Sequence, residues 1–345
     1  MTKLCERSRR NFLAQGLAGA AALGVTALCA TGEPQTRAER SRVVVARDPH
    51  LRGPDAKADS PASSGIDTRR LQALLDQAVA PLFGFPATEK GAVAAWRRVV
   101  GAGRTVSLKV NTLGGRGMAT NVELVEAACE RLQQAGVAAP NITVWDRDSE
   151  EMERAGFRIA TGGGRVQCYG TDHVGYEEDL AAWGSVGSRL SRILTRSSDV
   201  LINLPVLKDH DGAGVTIALK NMYGVIHNPN KYHPNGCNPY VADLNMLTEI
   251  RARMRLAVCD ATAAMYEGGP GFKPQFSWPC NALLAAEDPV ALDFVGWQMI
   301  ERKRAEMGLQ SLEAEKRAPR YIATAADREH HLGHADPAQI QLVEV

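Results

Sequence analysis

Lys208-Asp209-His210 directly follows an apolar stretch and directly precedes Asp211-Gly212-Ala213-Gly214. In extended chain, residues two apart point the same way, so Lys208 and His210 share a side. A lysine at the end of an apolar strand is expected to be partly enclosed. A glycine-rich turn leading into a helix presents free N–H groups and a positive dipole end. If Val215–Met222 is that helix, Thr216 and Lys220 lie four residues apart on one face, with Asn221 adjoining. These groups suit a phosphate or a carboxylate. Lys109 and Asn111 close a second apolar strand and would serve the same anionic small molecule. A tight turn with solvated charges would account for Asp209, Asp211 and the glycines, and accounts less well for two lysines at strand ends.

His210, His227 and His233 are candidate metal ligands or proton carriers, since imidazole suits both roles. In a catalytic reading His210 is the acid/base, with Asp260 or Glu267 orienting it or completing a metal site. Taken singly, each histidine is better explained as a surface or capping residue; the three together carry the metal reading. His330, His331 and His334 fall in a charged stretch and read as a fortuitous exposed cluster. Gly114-Gly115-Arg116-Gly117 lacks the lysine–serine pair of a P-loop, and no G-x-S-x-G elbow is present.

Short apolar strands alternating with helices must position these groups. Strands are expected at Thr105–Val110, Asn141–Trp145, Asp199–Leu204, Arg255–Cys259 and Asn281–Ala286, with a last edge strand at Ile340–Val343. Asp67 can cap a helix carrying Leu71, Leu74, Leu75, Ala78 and Val79 at helical spacing. Thr120-Asn121-Val122-Glu123 reads as a capping box, and Pro289 opens a helix ending near Ala305. The alternation implies an α/β fold with a mainly parallel sheet and helices on both faces. Lys109, Asp146, Lys208, Asp260 and the pair Glu287 and Asp288 each close a strand and would then share the carboxyl edge, where ligands bind in such sheets.

Ser8-Arg9-Arg10-Asn11-Phe12-Leu13, followed by a moderately apolar run to Ala30, resembles a twin-arginine export signal. It implies passage through the twin-arginine translocation machinery, cleavage near Ala30 or Gly32, and a periplasmic or extracytoplasmic location. An uncleaved signal would leave the protein anchored. Residues 1–32 are thus read as signal, 33–64 as linker with a short strand at Val43–Val45, and 65–345 as a single α/β domain.

The formal charge is +1 overall. Residues 1–30 carry +3, so the remainder carries −2, which gives no electrostatic footprint for nucleic acid. No later segment is apolar enough to span a bilayer, so no membrane contact is expected after cleavage. Five of the seven cysteines lie beyond residue 30, without a C-x-x-C pair. That spacing opposes a zinc ribbon or a ferredoxin-type cluster, and no iron–sulfur cluster is expected.

Several separated stretches resemble, in order, the bacterial family called domain of unknown function 362. They are Ser107-Leu108-Lys109-Val110-Asn111, the K-x-H of Lys208 and His210, Gly214-Val215-Thr216 with Ala218-Leu219-Lys220-Asn221-Met222-Tyr223-Gly224, Leu256–Asp260, Met265–Pro270 and Ala286–Asp293. The resemblance covers about residues 100–300. Some members carry an added iron–sulfur module, whose cysteines this chain lacks; the family's chemistry is otherwise largely unassigned. Two functional readings therefore stand. One is an exported enzyme holding an anionic molecule or cofactor with lysines and using histidine as acid/base, with a metal ion as a further candidate. The other is a non-catalytic periplasmic anion- or metal-binding protein.

Overall fold

In the computed structural model, which describes residues 40–52 and 65–345, the sheet strands alternate between two cores. Val43 and Val45 pack into one core, Val44 and Ala46 into the other. This two-residue period is what a strand buried on both faces requires. The strands are β1 (Ser41–Arg47), β2 (Val106–Lys109), β3 (Ile142–Trp145), β4 (Gln167–Cys168), β5 (Ala181–Trp183), β6 (Val186–Ser188), β7 (Val200–Asn203), β8 (Val206–His210), β9 (Gly214–Thr216), β10 (Met254–Met265), β11 (Ser277–Trp278), β12 (Ala282–Ala286) and β13 (Ile340–Glu344). The main sheet runs β13-β1-β12-β10-β7-β2-β3-β4, with β8, β9 and β11 attached around β10; β5 and β6 form a separate hairpin. Among the eight strands in that main order, neighbours pair in parallel except where β12 meets β1 and β10.

Helices cover both faces. Thr68–Val79, Glu89–Val100 and Val122–Gln134 bury their apolar sides in one core, and Pro289–Glu306 packs into the other. Asp67 caps the first of these, accepting from the Arg69 and Arg70 N–H groups. The strand expected at Val43–Val45 spans Ser41–Arg47 and lies inside the sheet, so that part of the stretch read as linker belongs to the domain. The export-signal residues 1–32 and most of the remaining linker lie outside the described residues. Among the described residues no helix is long and apolar enough to cross a membrane.

Four local readings are corrected. Val215–Met222 is not one helix: β8 turns back into β9, and the helix is only Ala218–Asn221. Gly214 makes that turn at φ +79°, against the Arg317 carbonyl, and the β-branched Val215 and Thr216 continue as strand. The capping box does not form. Thr120 Oγ1 instead donates to Leu204 O (2.7 Å) and accepts from the Asn111 N–H (2.9 Å), tying the end of β2 to the chain leaving β7. β10 does not end at Asp260 but continues to Met265. Finally, β12 is antiparallel to β10, so Glu287 and Asp288 lie at the opposite edge from Lys109.

From β2 the chain winds outward to β3 and β4, then returns to the other side of β2 as β7. The order therefore reverses between β2 and β7, and a crevice is expected outside their carboxyl ends.

Candidate functional site

Lys109 is the last residue of β2, and Asp146 directly follows β3. Their side chains meet at 2.7 Å, both buried. Asp146 also accepts from the Thr112 N–H and hydroxyl at 2.8 Å each. Beyond β7, Pro205 interrupts the strand. β8 then pairs only with the far part of β10 and with β9, which opens a gap beside the end of β2. Lys208 and His210 point from β8 into this gap, as their two-residue spacing requires. Asp209 points the other way.

The gap is a cavity of about 370 Å³. Lys109, Asn111, Lys208, His210, Thr216, Lys220, Asn221 and His233 all line it, as do Asp146, Tyr223 and Gly224. Lys208 is fully buried and Lys220 is 6% exposed. Among the described residues neither has a carboxylate within ion-pairing distance. Lys208 Nζ donates to Asn111 Oδ1 at 2.9 Å, and Asn111 Nδ2 donates to Asn221 Oδ1 at 3.0 Å. Lys220 Nζ lies 3.3 Å from His233 Nε2 and 4.4 Å from the centre of the Tyr223 ring. The Thr216 hydroxyl is buried, with no hydrogen-bond partner among the described residues.

Burial disfavours the charged form of each basic group here. It brings Lys208 down to about 8, with the Lys220 charge acting in the same direction, and Lys220 also to about 8. Burial and the neighbouring Lys220 push His210 down to about 2 and lower His233 as well. Both histidines are therefore neutral at physiological pH. His210 Nδ1 accepts the Gly212 N–H at 3.0 Å, which leaves the ring proton on Nε2. His233 has the opposite tautomer: Nδ1 faces the Pro229 carbonyl at 3.1 Å, and Nε2 presents its lone pair to Lys220.

Three of the candidates lie elsewhere. Asp260 accepts from the Asn121 N–H and amide and from the Thr262 N–H and hydroxyl, at 2.7–3.0 Å, so its carboxylate is consumed in joining two elements. Glu267 is held by Arg317 at 2.7 Å and by Arg304, and it does not line the cavity that His210 enters. His227 Nδ1 is engaged by the Ser188 hydroxyl and the Arg189 N–H, outside the cavity. The three histidines therefore do not form one metal centre. Among the described residues, the metal-like grouping is Asp209, Asp211 and Glu267, and Arg317 already reaches all three. His330 corrects the reading of an exposed C-terminal cluster: it is buried between Asp243 (2.9 Å) and Asp327 (2.8 Å).

The sequence placed Asp146 at the ligand-binding edge, and Tyr223 and Gly224 in a family-like stretch, but none of the three was singled out as a site residue. Asp146 carried a usable signal, as an acidic residue ending the strand beside Lys109. The Ala218–Asn221 helix offers no free N-terminus, because Asp293 accepts the Ala218 and Leu219 N–H groups at 2.7 and 3.1 Å.

Among solved structures, the chain is similar to the lactate racemase apoprotein from Thermoanaerobacterium thermosaccharolyticum, at 11% identity and a TM-score of 0.41, covering 67% of this chain and 55% of that one. It is also similar to a structural-genomics target protein from Thermotoga maritima, at 12% identity and a TM-score of 0.31, covering 65% and 59%. The chain thus spans little more than half the length of these relatives. No curated protein sequence matches it. Residues 106–298, more than half of the chain, match the family described as Domain of unknown function (DUF362), and the chain belongs to that family.

Proposed function

We propose that this protein is an exported enzyme that binds a small anionic molecule in the cavity at the carboxyl ends of β2 and β7. The observation that carries this reading is the pair Lys208 and Lys220. Both ammonium groups are buried in one cavity, and among the described residues no carboxylate lies within ion-pairing distance of either. A buried charge is costly unless paired, and an anionic ligand supplies the missing pair. Asn111, Asn221 and the unpartnered Thr216 hydroxyl add neutral groups that orient it.

The histidines divide the acid–base work differently from the single role read for His210 in the sequence. Neutral His210, protonated at Nε2, is a hydrogen-bond donor suited to a developing negative charge. His233, whose Nε2 lone pair faces Lys220, is the proton acceptor. A bare metal cation is a poor occupant, because the lysine charges bear on the same space. The part of this proposal that concerns export in the folded state rests on the arginine pair at Arg9 and Arg10.

Native mass spectrometry of the protein recovered from the periplasm of an exporting host tests the reading. A small anion retained by the wild type and absent from Lys208→Ala supports it. The same retained mass in both, or a retained metal ion alone, refutes it.

A further inference from the structure

Lys208 and Lys220 differ in their neighbours, and the difference divides their work. Lys208 Nζ donates to an amide oxygen, and among the described residues no imidazole or carboxylate lies within hydrogen-bonding distance of it. Lys220 Nζ faces a neutral imidazole lone pair at 3.3 Å, in a wall formed also by the Tyr223 ring. Pro229 O holds the far side of that imidazole and fixes its orientation. A buried amine next to a positioned base, with no carboxylate among the described residues to hold its proton, has the surroundings of a nucleophilic lysine.

We propose that Lys220 forms a Schiff base with a small carbonyl compound whose carboxylate or phosphate is held by Lys208. This rests on the anion-binding reading of the same cavity. The Lys220 ammonium gives one proton to His233 Nε2. The free amine attacks the carbonyl carbon, and the carbonyl π pair moves to oxygen, which takes that proton back from His233. The resulting carbinolamine loses its hydroxyl, with a second nitrogen-bound hydrogen, as water. The carbon–nitrogen double bond replaces the carbon–oxygen bond, and the positive charge stays on the iminium. One water is released, and no oxidant or reductant is consumed.

Burial favours the step. It brings Lys220 to about 8, so a useful fraction of the amine is free at neutral pH. The cavity of about 370 Å³ has room for a molecule of this class.

Reductive trapping tests the inference. Purified protein is mixed with pyruvate, with dihydroxyacetone phosphate or with uncharged acetone, reduced with borohydride, and mapped by peptide mass spectrometry. Phosphate and pyruvate binding are measured in parallel by calorimetry. The expected result is a single reduced adduct on Lys220 with one or both anionic probes. It should be at least about tenfold weaker with acetone, and at least about tenfold weaker in Lys220→Arg, which keeps the charge but cannot form the imine. The preferred anionic probe tells whether carboxylate or phosphate is the natural handle. His233→Gln should slow adduct formation without moving it to another lysine. Adducts spread over exposed lysines, or no adduct while the probes still bind, would overturn the covalent step and leave the anion site standing. No adduct and no binding would overturn both.

Discussion

At the scale of single residues, the account depends on two lysines that are expensive where they stand. Lys208 holds its proton to about 8 when folded, against an ordinary 10.5. Between those values the unfolded chain binds more protons than the folded one, so this residue's contribution to stability rises with pH. The shift corresponds to about 3 kcal/mol at most. Denaturant unfolding of the wild type and of Lys208→Met should therefore converge or cross in favour of the wild type between pH 8 and 10.5. Parallel pH profiles would contradict the burial argument. Anion affinity runs the other way: it needs the ammonium forms and should fall as pH rises through about 8. Asp260 belongs to a different class. Asp260→Ala should cost about 1–3 kcal/mol, because it strands the buried Asn121 N–H, while leaving phosphate affinity within about twofold. Urea unfolding and calorimetry on one preparation would check both parts. The lysines were legible in the sequence because a cation after apolar strand residues is anomalous there. The role of Asp260 was not, because its partner Asn121 lies 139 residues away.

At the scale of elements, the cavity exists because β8 leaves the sheet line after Pro205 and because the chain after the short helix comes close to β2. Gly224 marks that close approach. A β-carbon placed there would come within 2.6 Å of Lys109 Nζ and 2.8 Å of Asp146 Oδ1. Gly224→Ala should disturb the Lys109–Asp146 pair and weaken phosphate binding by about tenfold or more. An unchanged dissociation constant in a folded variant would show that this wall does not shape the site. Asp293 holds the Ala218–Asn221 turn in place, and Asp293→Asn should lower the unfolding midpoint through weaker capping. The alternation of strands and helices could be read from the sequence because each long helix carries its own apolar period. The β8–β9 hairpin could not. Val215 and Thr216 precede a true helical turn, and only Gly214 at positive φ shows where the reversal falls.

At the scale of the whole molecule, one reversal of strand order between β2 and β7 places Lys109 and Lys208 at the mouth of the same crevice. That edge was readable from the rule that parallel strands share direction, whereas the antiparallel entry of β12, which carries Glu287 and Asp288 away, was not. His330 ties the C-terminal segment to the helix Tyr240–Asn245. Burial works against its charged form, but the Asp243 and Asp327 carboxylates outweigh it and raise its pKa. Its stabilising effect is complete below about 6.5 and is lost as pH rises through the raised value, so His330→Ala should destabilise more at pH 5.5 than at pH 8. For export, replacing Arg9 and Arg10 by lysine should leave the precursor in the cytoplasm, and undiminished periplasmic protein would contradict that part of the proposal. The central claim is that the cavity binds an anion through Lys208 and Lys220. Calorimetric titration with phosphate and with pyruvate at pH 7 tests it most directly. The account predicts one saturable site for at least one probe, roughly tenfold to hundredfold weaker in each single alanine variant and lost in the double variant. Absent binding of both probes, or equal affinity in the double variant, would contradict it.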